Sequence, residues 1–219
     1  MKRLLFALPC LLILGCLDLS MGVKMKADWS SSYVLEVEML DQMYQLILAQ
    51  GQQSGMDVSL FNKDSFEAMA KENGGRLNRF SNEVKDGTRK ILMDAWFPDA
   101  RKLWAELGQG MVTLVEQDGV WTMRIMDNEM ANTASDLKPE VLEQQLASMK
   151  PMMVGLKFKI TVSVPELVST NLTRKDNTTA VYVLDFDTDI APKTGMEAVE
   201  AFKSLMAPKE VRFKGMKGS

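Results

Sequence analysis

Residues 155–164 alternate almost without a break. Phe158, Ile160, Val162 and Val164 fall on one side, and Lys157, Lys159, Thr161 and Ser163 on the other. A period of two predicts a strand with one buried face, which Pro165 ends. The same pattern recurs upstream. Val23, Met25 and Ala27 alternate with Lys24 and Lys26; after a turn at Asp28–Ser32, Tyr33, Leu35, Val37 and Met39 alternate with Val34, Glu36 and Glu38. These predict two antiparallel strands, with the lysines facing the glutamates across the sheet. Two more hairpins turn on Asp86-Gly87, between Arg76–Lys85 and Thr88–Phe97, and on Asp118-Gly119, between Met111–Gln117 and Val120–Met126. Ala180–Asp187 and a short Val211–Phe213 complete the strands, with a loop over 166–178 and a loose basic tail at 214–219.

Between the strands the period lengthens. Leu40, Met43, Tyr44, Ile47 and Leu48 form a helical stripe that ends near Gly51. A second helix opens at Asn62 as cap, with Phe61 and Phe66 spaced for a hydrophobic staple, and closes at Asn73-Gly74-Gly75. Pro98-Asp99 opens a third, with Ala100, Leu103, Trp104 and Leu107 as its stripe. Pro139 opens a fourth, and 193–206 form a fifth. Hairpins with one apolar face need a cover, and amphipathic helices supply one. The expected class is α+β: antiparallel β-hairpins with one face covered by amphipathic helices. One globular domain is expected over 23–213, in two sub-layers if a break falls near 127–138.

The first sixteen residues do not belong to that pattern. Lys2 and Arg3 precede an apolar run from Leu4 to Leu14, then Gly15 and Cys16. This is the layout of a secretory signal, and its apolar core is too short to span a bilayer. Ile13-Leu14-Gly15-Cys16 resembles a bacterial lipobox, which implies cleavage before Cys16 and acylation of its thiol, with 16–22 as a short tether. Two or more acyl chains hold a protein firmly on a membrane. Leu17, rather than Asp, follows the cysteine; the sorting rule that accompanies this resemblance then implies the periplasmic face of the outer membrane in a Gram-negative envelope.

Composition narrows the chemistry. Removing residues 1–15 leaves 204 of the 219 residues, with 24 basic and 29 acidic side chains and a net charge of −5. A nucleic-acid partner needs an electropositive face, so none is expected. Cys10 leaves with the signal and Cys16 is consumed by lipid, so no disulfide or thiolate site remains. The chain has no histidine, which excludes Ser-His-Asp and Cys-His mechanisms. Eighteen methionines read as adaptable core filler.

Three groups carry candidate chemistry. Asp185, Asp187 and Asp189 share a face if extended, where they could ligate Ca²⁺ or Mg²⁺; the reading preferred to that is a solvated strand end that runs into a helix start, with Asp189 as a cap. Trp29, in a polar turn near the tether, is a candidate for the lipid interface, the alternative being cover for the edge of the core. Arg76, Arg79, Lys85, Arg89, Lys90, Arg101 and Lys102 form the main basic concentration, read either as an anion-facing patch or as mixed-charge surface. No catalytic residue and no cofactor is assigned.

The chain resembles a group of bacterial lipoproteins that contains the mycobacterial LppM-type domain. The resemblance rests on Cys16, the early hairpin, Gly74-Gly75, Asp86-Gly87 ahead of a strand ending in Phe97, Phe158–Pro165, Ser169-Thr170-Asn171 and Asp176-Asn177. It implies a membrane-tethered α/β domain with an envelope or lipid-related role. The chain departs from it in lacking a C-terminal transmembrane helix and in the helical insertion at 40–73. The expected function is a non-enzymatic, membrane-anchored lipoprotein that binds an envelope protein, lipid or glycan. The alternatives are a lipid or hydrophobic-ligand carrier with an apolar groove, and a metal-assisted carboxylate hydrolase.

Overall fold

The structure is a computed structural model that describes residues 17–54, 62–107, 112–125 and 139–217. Eleven strands, six α-helices and one short 3-10 helix (Lys150–Met152) are described. In chain order the strands and α-helices are β1 (Leu17–Met25), β2 (Ser31–Leu40), α1 (Asp41–Ser54), α2 (Lys63–Glu72), β3 (Arg76–Lys85), β4 (Thr88–Phe97), α3 (Ala100–Leu107), β5 (Val112–Gln117), β6 (Val120–Ile125), α4 (Pro139–Met149), β7 (Lys157–Ser163), β8 (Glu166–Thr170), β9 (Thr173–Arg174), β10 (Thr179–Asp185), α5 (Phe186–Asp189), α6 (Gly195–Met206) and β11 (Lys209–Lys214). The α+β class read from the sequence is the class observed.

The strands form two sheets. The larger runs β3-β4-β2-β1-β7-β10-β9 and the smaller β5-β6-β11-β8. Every neighbour pair is antiparallel except β1 with β7, which is parallel and joins the two halves of the large sheet. Hairpin patterns carry no sign of that pairing, because its partners lie about 140 residues apart. The inward rows of the large sheet hold Leu17, Leu19, Val37, Met39, Ile91, Phe158 and Ile160, all buried in one continuous core. The small sheet shares this core: Lys209 of β11 lies over the Tyr182 ring of β10, and Trp121 of β6 meets Trp29. Helices cover the rest. Phe66 of α2 packs against Phe80 of β3, and α4 packs on α6.

Four expectations are corrected. β1 begins at Leu17, so residues 17–22 are strand and not tether. Leu17 is 2 % exposed and pairs with Met39. That longer strand changes the cross-strand neighbours: Lys24 faces Ser32, and Glu38 lies opposite Asp18 while pairing with Lys90 of β4 at 2.7 Å. The expected lysine–glutamate ladder between the first two strands does not form. The loop at 166–178 contains β8 and β9; β8 is an edge strand with a bulge against β11, and its weak alternation hid it. The tail is not loose as far as Lys217, whose N–H donates to the Ala27 carbonyl at 2.7 Å. Cys16, the Phe61 half of the staple and the break near 127–138 lie outside the described residues.

Local chemistry explains the junctions that were read correctly. Asn62 accepts from the Asp64 N–H at 2.9 Å and caps α2. Gly75 follows α2 where a Cβ would overlap the Trp96 carbonyl oxygen and the Phe97 ring, so only glycine lets helix and strand approach this closely. Methionines 25, 39, 93, 123 and 153 are buried, as core filler should be.

Candidate functional site

The end of the large sheet where β1 begins gathers Arg89 and the aspartates Asp185, Asp187 and Asp189. Leu17, Met39, Arg89 and Val84 stand in one register row across β1, β2, β4 and β3. Arg89 therefore points inward, in phase with Ile91 and Met93. Its guanidinium is mostly buried and bonds Asp41, the first residue of α1, at 2.7 Å. It also donates to Asn82 and lies 4.0 Å from the centre of the Tyr44 ring. One cation thus clamps the start of α1 onto the sheet. The Asp41 N–H completes the clamp by donating to the Gly87 carbonyl in the β3–β4 turn.

On the other side of β1 the aspartates act as fasteners. Asp185 ends β10, pairs with Lys157 at 3.2 Å and caps α5 by accepting from the Asp187 N–H. Asp187 accepts from the Gly155 N–H at 3.0 Å, just before β7. Asp189 accepts from the Asp185 N–H at 2.8 Å. The run is not extended: the strand stops at Asp185, and the next two aspartates sit on a helical turn. Each carboxylate serves a different backbone donor, so the common face required for a metal site is lost. Among the described residues no three acidic, cysteine or histidine side chains converge on a metal position.

Trp29 lies at the opposite end. β1 is nine residues long, so the turn that follows is about 30 Å from Leu17. The indole is 3 % exposed, 4.5 Å from the Trp121 ring and under the Arg101 guanidinium at 4.7 Å. A side chain so placed offers no face to a lipid surface, which corrects the interfacial expectation. Its backbone is held at φ 68°, a costly conformation for a bulky residue, retained here by the Ala100 N–H donating to the Trp29 carbonyl and by the buried ring. The indole N–H groups of Trp29, Trp104 and Trp121 and the hydroxyl of Ser31 are buried without a hydrogen-bond partner.

The basic concentration is dispersed. Arg76 stacks on Trp96 at 4.6 Å, Arg89 is inside, Lys90 pairs with Glu38, and Arg101 makes two bonds to Asp99. The Arg101 guanidinium holds the Asp99 carboxyl below its usual range. Asp99 also accepts from the Arg101 N–H, so Phe97-Pro98-Asp99 is a strand-to-helix turn.

One ionised group escaped the sequence reading. Lys209 is 5 % exposed, and its ammonium donates to the carbonyls of Ser204, Leu205 and Ala207, the open end of α6. Burial pushes its pKa down to about 8. The signal was present, because Lys209 falls in phase with the inward Val211 and Phe213. The same holds for Arg89.

No known protein family matches the chain, and no curated protein matches it. No helix of the described residues is long and apolar enough to cross a membrane. Among solved structures, the NMR structure of the folded domain of the Mycobacterium tuberculosis LppM protein is similar. It has 13 % identity and a TM-score of 0.43, with 93 % of this chain and 92 % of that one covered.

Proposed function

We propose that the protein is a bacterial envelope lipoprotein, held on the membrane by acylated Cys16, whose domain binds an envelope component without catalysing a reaction. The observation that supports this most is the order of the chain: a basic and apolar leader, then Ile13-Leu14-Gly15-Cys16, then a buried strand residue at Leu17. Cleavage before Cys16 would leave the first described strand, which starts at Leu17, intact. Growth with labelled palmitate tests it. The wild-type chain is expected to carry label and sediment with membranes, and Cys16→Ala to carry none. Label retained on Cys16→Ala, or an unlabelled wild-type chain, sinks the reading.

A second reading has its own support. Trp29, Trp104 and Trp121 lie near the seam between the sheets, each with a buried and unpartnered N–H. Leaving such a donor unpaired costs about 1–3 kcal/mol. A hydrophobic ligand carrying ester or amide oxygens would relieve that cost, as a carrier of such ligands requires. Native mass spectrometry of residues 17–219 decides: a retained ligand of defined mass supports the carrier, and an empty protein supports docking alone.

A further inference from the structure

The anchored end of the large sheet has a composition of its own. Leu40 stands one step beyond Met39, the partner of Leu17, and faces Thr88, which in turn faces Lys85. Val84 lies in the Leu17 row, opposite Arg89. On the β7 side, Lys157 pairs with Asp18, so Val154 lies three residues beyond that pair, on the same end. Leu46 sits in the second turn of α1, whose first turn the Arg89 clamp fixes to this end. These four apolar side chains are 44–56 % exposed. The charges at this end are mixed: Lys85, Lys90 and Lys157 stand with Glu83, Asp86, Glu38, Asp18, Asp185 and Asp187, without a basic excess.

Chain geometry says what covers them. Cys16 is the covalent neighbour of Leu17, and one residue step spans about 3.8 Å. The headgroup layer of one leaflet is about 5–7 Å deep. No spacer separates an acylated Cys16 from the folded sheet, so the domain cannot be held away from the bilayer.

We propose that Leu40, Val84, Val154 and Leu46 rest in the headgroup layer, so that the large sheet stands on this end and carries the Trp29–Trp121 end away from the membrane. This rests on acylation of Cys16. The contact is apolar rather than charge-driven, because the rim has no surplus of cations to attract anionic lipid.

The test uses the full acylated chain in phosphatidylcholine vesicles. With Cys10 removed and the Cys16 thiol consumed, single-cysteine variants Leu40→Cys, Val84→Cys and Val154→Cys accept one fluorophore each. Val115→Cys is the control; it is 57 % exposed on β5, in the hairpin that carries Trp121. A quencher attached to the lipid headgroup should dim the first three at least fivefold more than the control, equally at low and high salt. Equal quenching at Leu40 and Val115, or quenching abolished by salt, overturns the proposal. Melting curves of the labelled variants exclude misfolding as the cause. Palmitate labelling of the same preparation separates the two failures: an unlabelled chain refutes the anchor, whereas a labelled chain without the quenching difference refutes the orientation.

Discussion

The two ends of the large sheet are held together by opposite means. At the β1 start, polar groups do the fastening: Arg89 to Asp41 and Asn82, Asp185 to Lys157, Asp187 to the Gly155 N–H. At the β1 finish, aromatic rings do it: Trp29 against Trp121, Tyr33 against Trp104, with three indole donors left unpartnered. The difference teaches where stability and exposure are kept. The aromatic end buries its large side chains and carries strain at Trp29; the polar end buries Leu17 and Met39, pairs its charges internally and leaves Leu40, Val84 and Val154 exposed.

The comparison breaks most sharply at Trp29. Trp29→Ala should cost about 3–5 kcal/mol, the range for emptying a buried aromatic site, measured by urea unfolding of residues 17–219. An interfacial tryptophan would behave in reverse, with stability unchanged and membrane binding weakened. Trp29→Gly relieves the positive φ and should be slightly less damaging than Trp29→Ala, although both lose the ring.

The polar end gives the next effect. Arg89→Met keeps the stem but leaves Asp41 and Asn82 without their donor. A loss of about 2–3 kcal/mol is expected, below the range for breaking a fully buried pair because Asp41 is partly exposed. The exposed pair of Lys90 and Glu38 is the internal standard: Lys90→Ala should leave the urea midpoint nearly unchanged, because an exposed pair is screened by solvent. Equal losses at Arg89 and Lys90 would mean that α1 is not clamped.

These contrasts also mark what a sequence can and cannot carry. Period-two alternation placed Phe158, Ile160, Val162 and Ile91 inside, and the turn chemistry of Asp86-Gly87 and Asn73-Gly74 fixed the junctions, because both are local. The parallel pairing of β1 with β7 is not local, and neither is the contact that buries Trp29; both depend on chain segments about 90 residues apart or more. The shared strand face that a metal would need at the aspartates is lost for a related reason. Their spacing suggested one strand face, but Asp185 caps a helical turn, and a cap competes with strand continuation for the same backbone N–H. The inward Arg89 and Lys209 were legible from phase alone, since each falls on the apolar side of its own strand.

Between the two ends, Lys209 gives a pH signature. Its pKa is pushed down to about 8 by burial, against 10.5 for an ordinary lysine. Between those values the unfolded chain binds the proton that the folded chain has released, so stability rises as pH climbs. The three carbonyls around the ammonium favour the charged form, which holds the rise to about 1 kcal/mol between pH 8 and 9.5. Above about pH 10 the sign reverses. Burial and the nearby Asp189 raise Tyr182 to about 12, so the unfolded chain then loses its tyrosine proton first. Urea midpoints across this range should pass through a maximum, and Lys209→Met should remove the rising limb. A flat limb in the wild type would mean that the carbonyls fully offset the burial.

The smallest effect tests the fasteners themselves. Asp187→Asn keeps an oxygen that can accept from the Gly155 N–H but loses the charge that strengthens the bond, so about 0.5–1 kcal/mol should be lost. Asp187→Ala removes the acceptor and should cost more. The ion question is settled in the same melts. If Asp185, Asp187 and Asp189 held Ca²⁺ in the folded state alone, millimolar Ca²⁺ would raise the wild-type Tm by mass action and leave Asp187→Ala unmoved. With each carboxylate bonded to its own backbone N–H, binding an ion would mean breaking those bonds and drawing two residues of α5 back into line with β10. The wild-type Tm should therefore stay fixed as Ca²⁺ is added, and the difference between Asp187→Asn and Asp187→Ala should be the same with and without the ion.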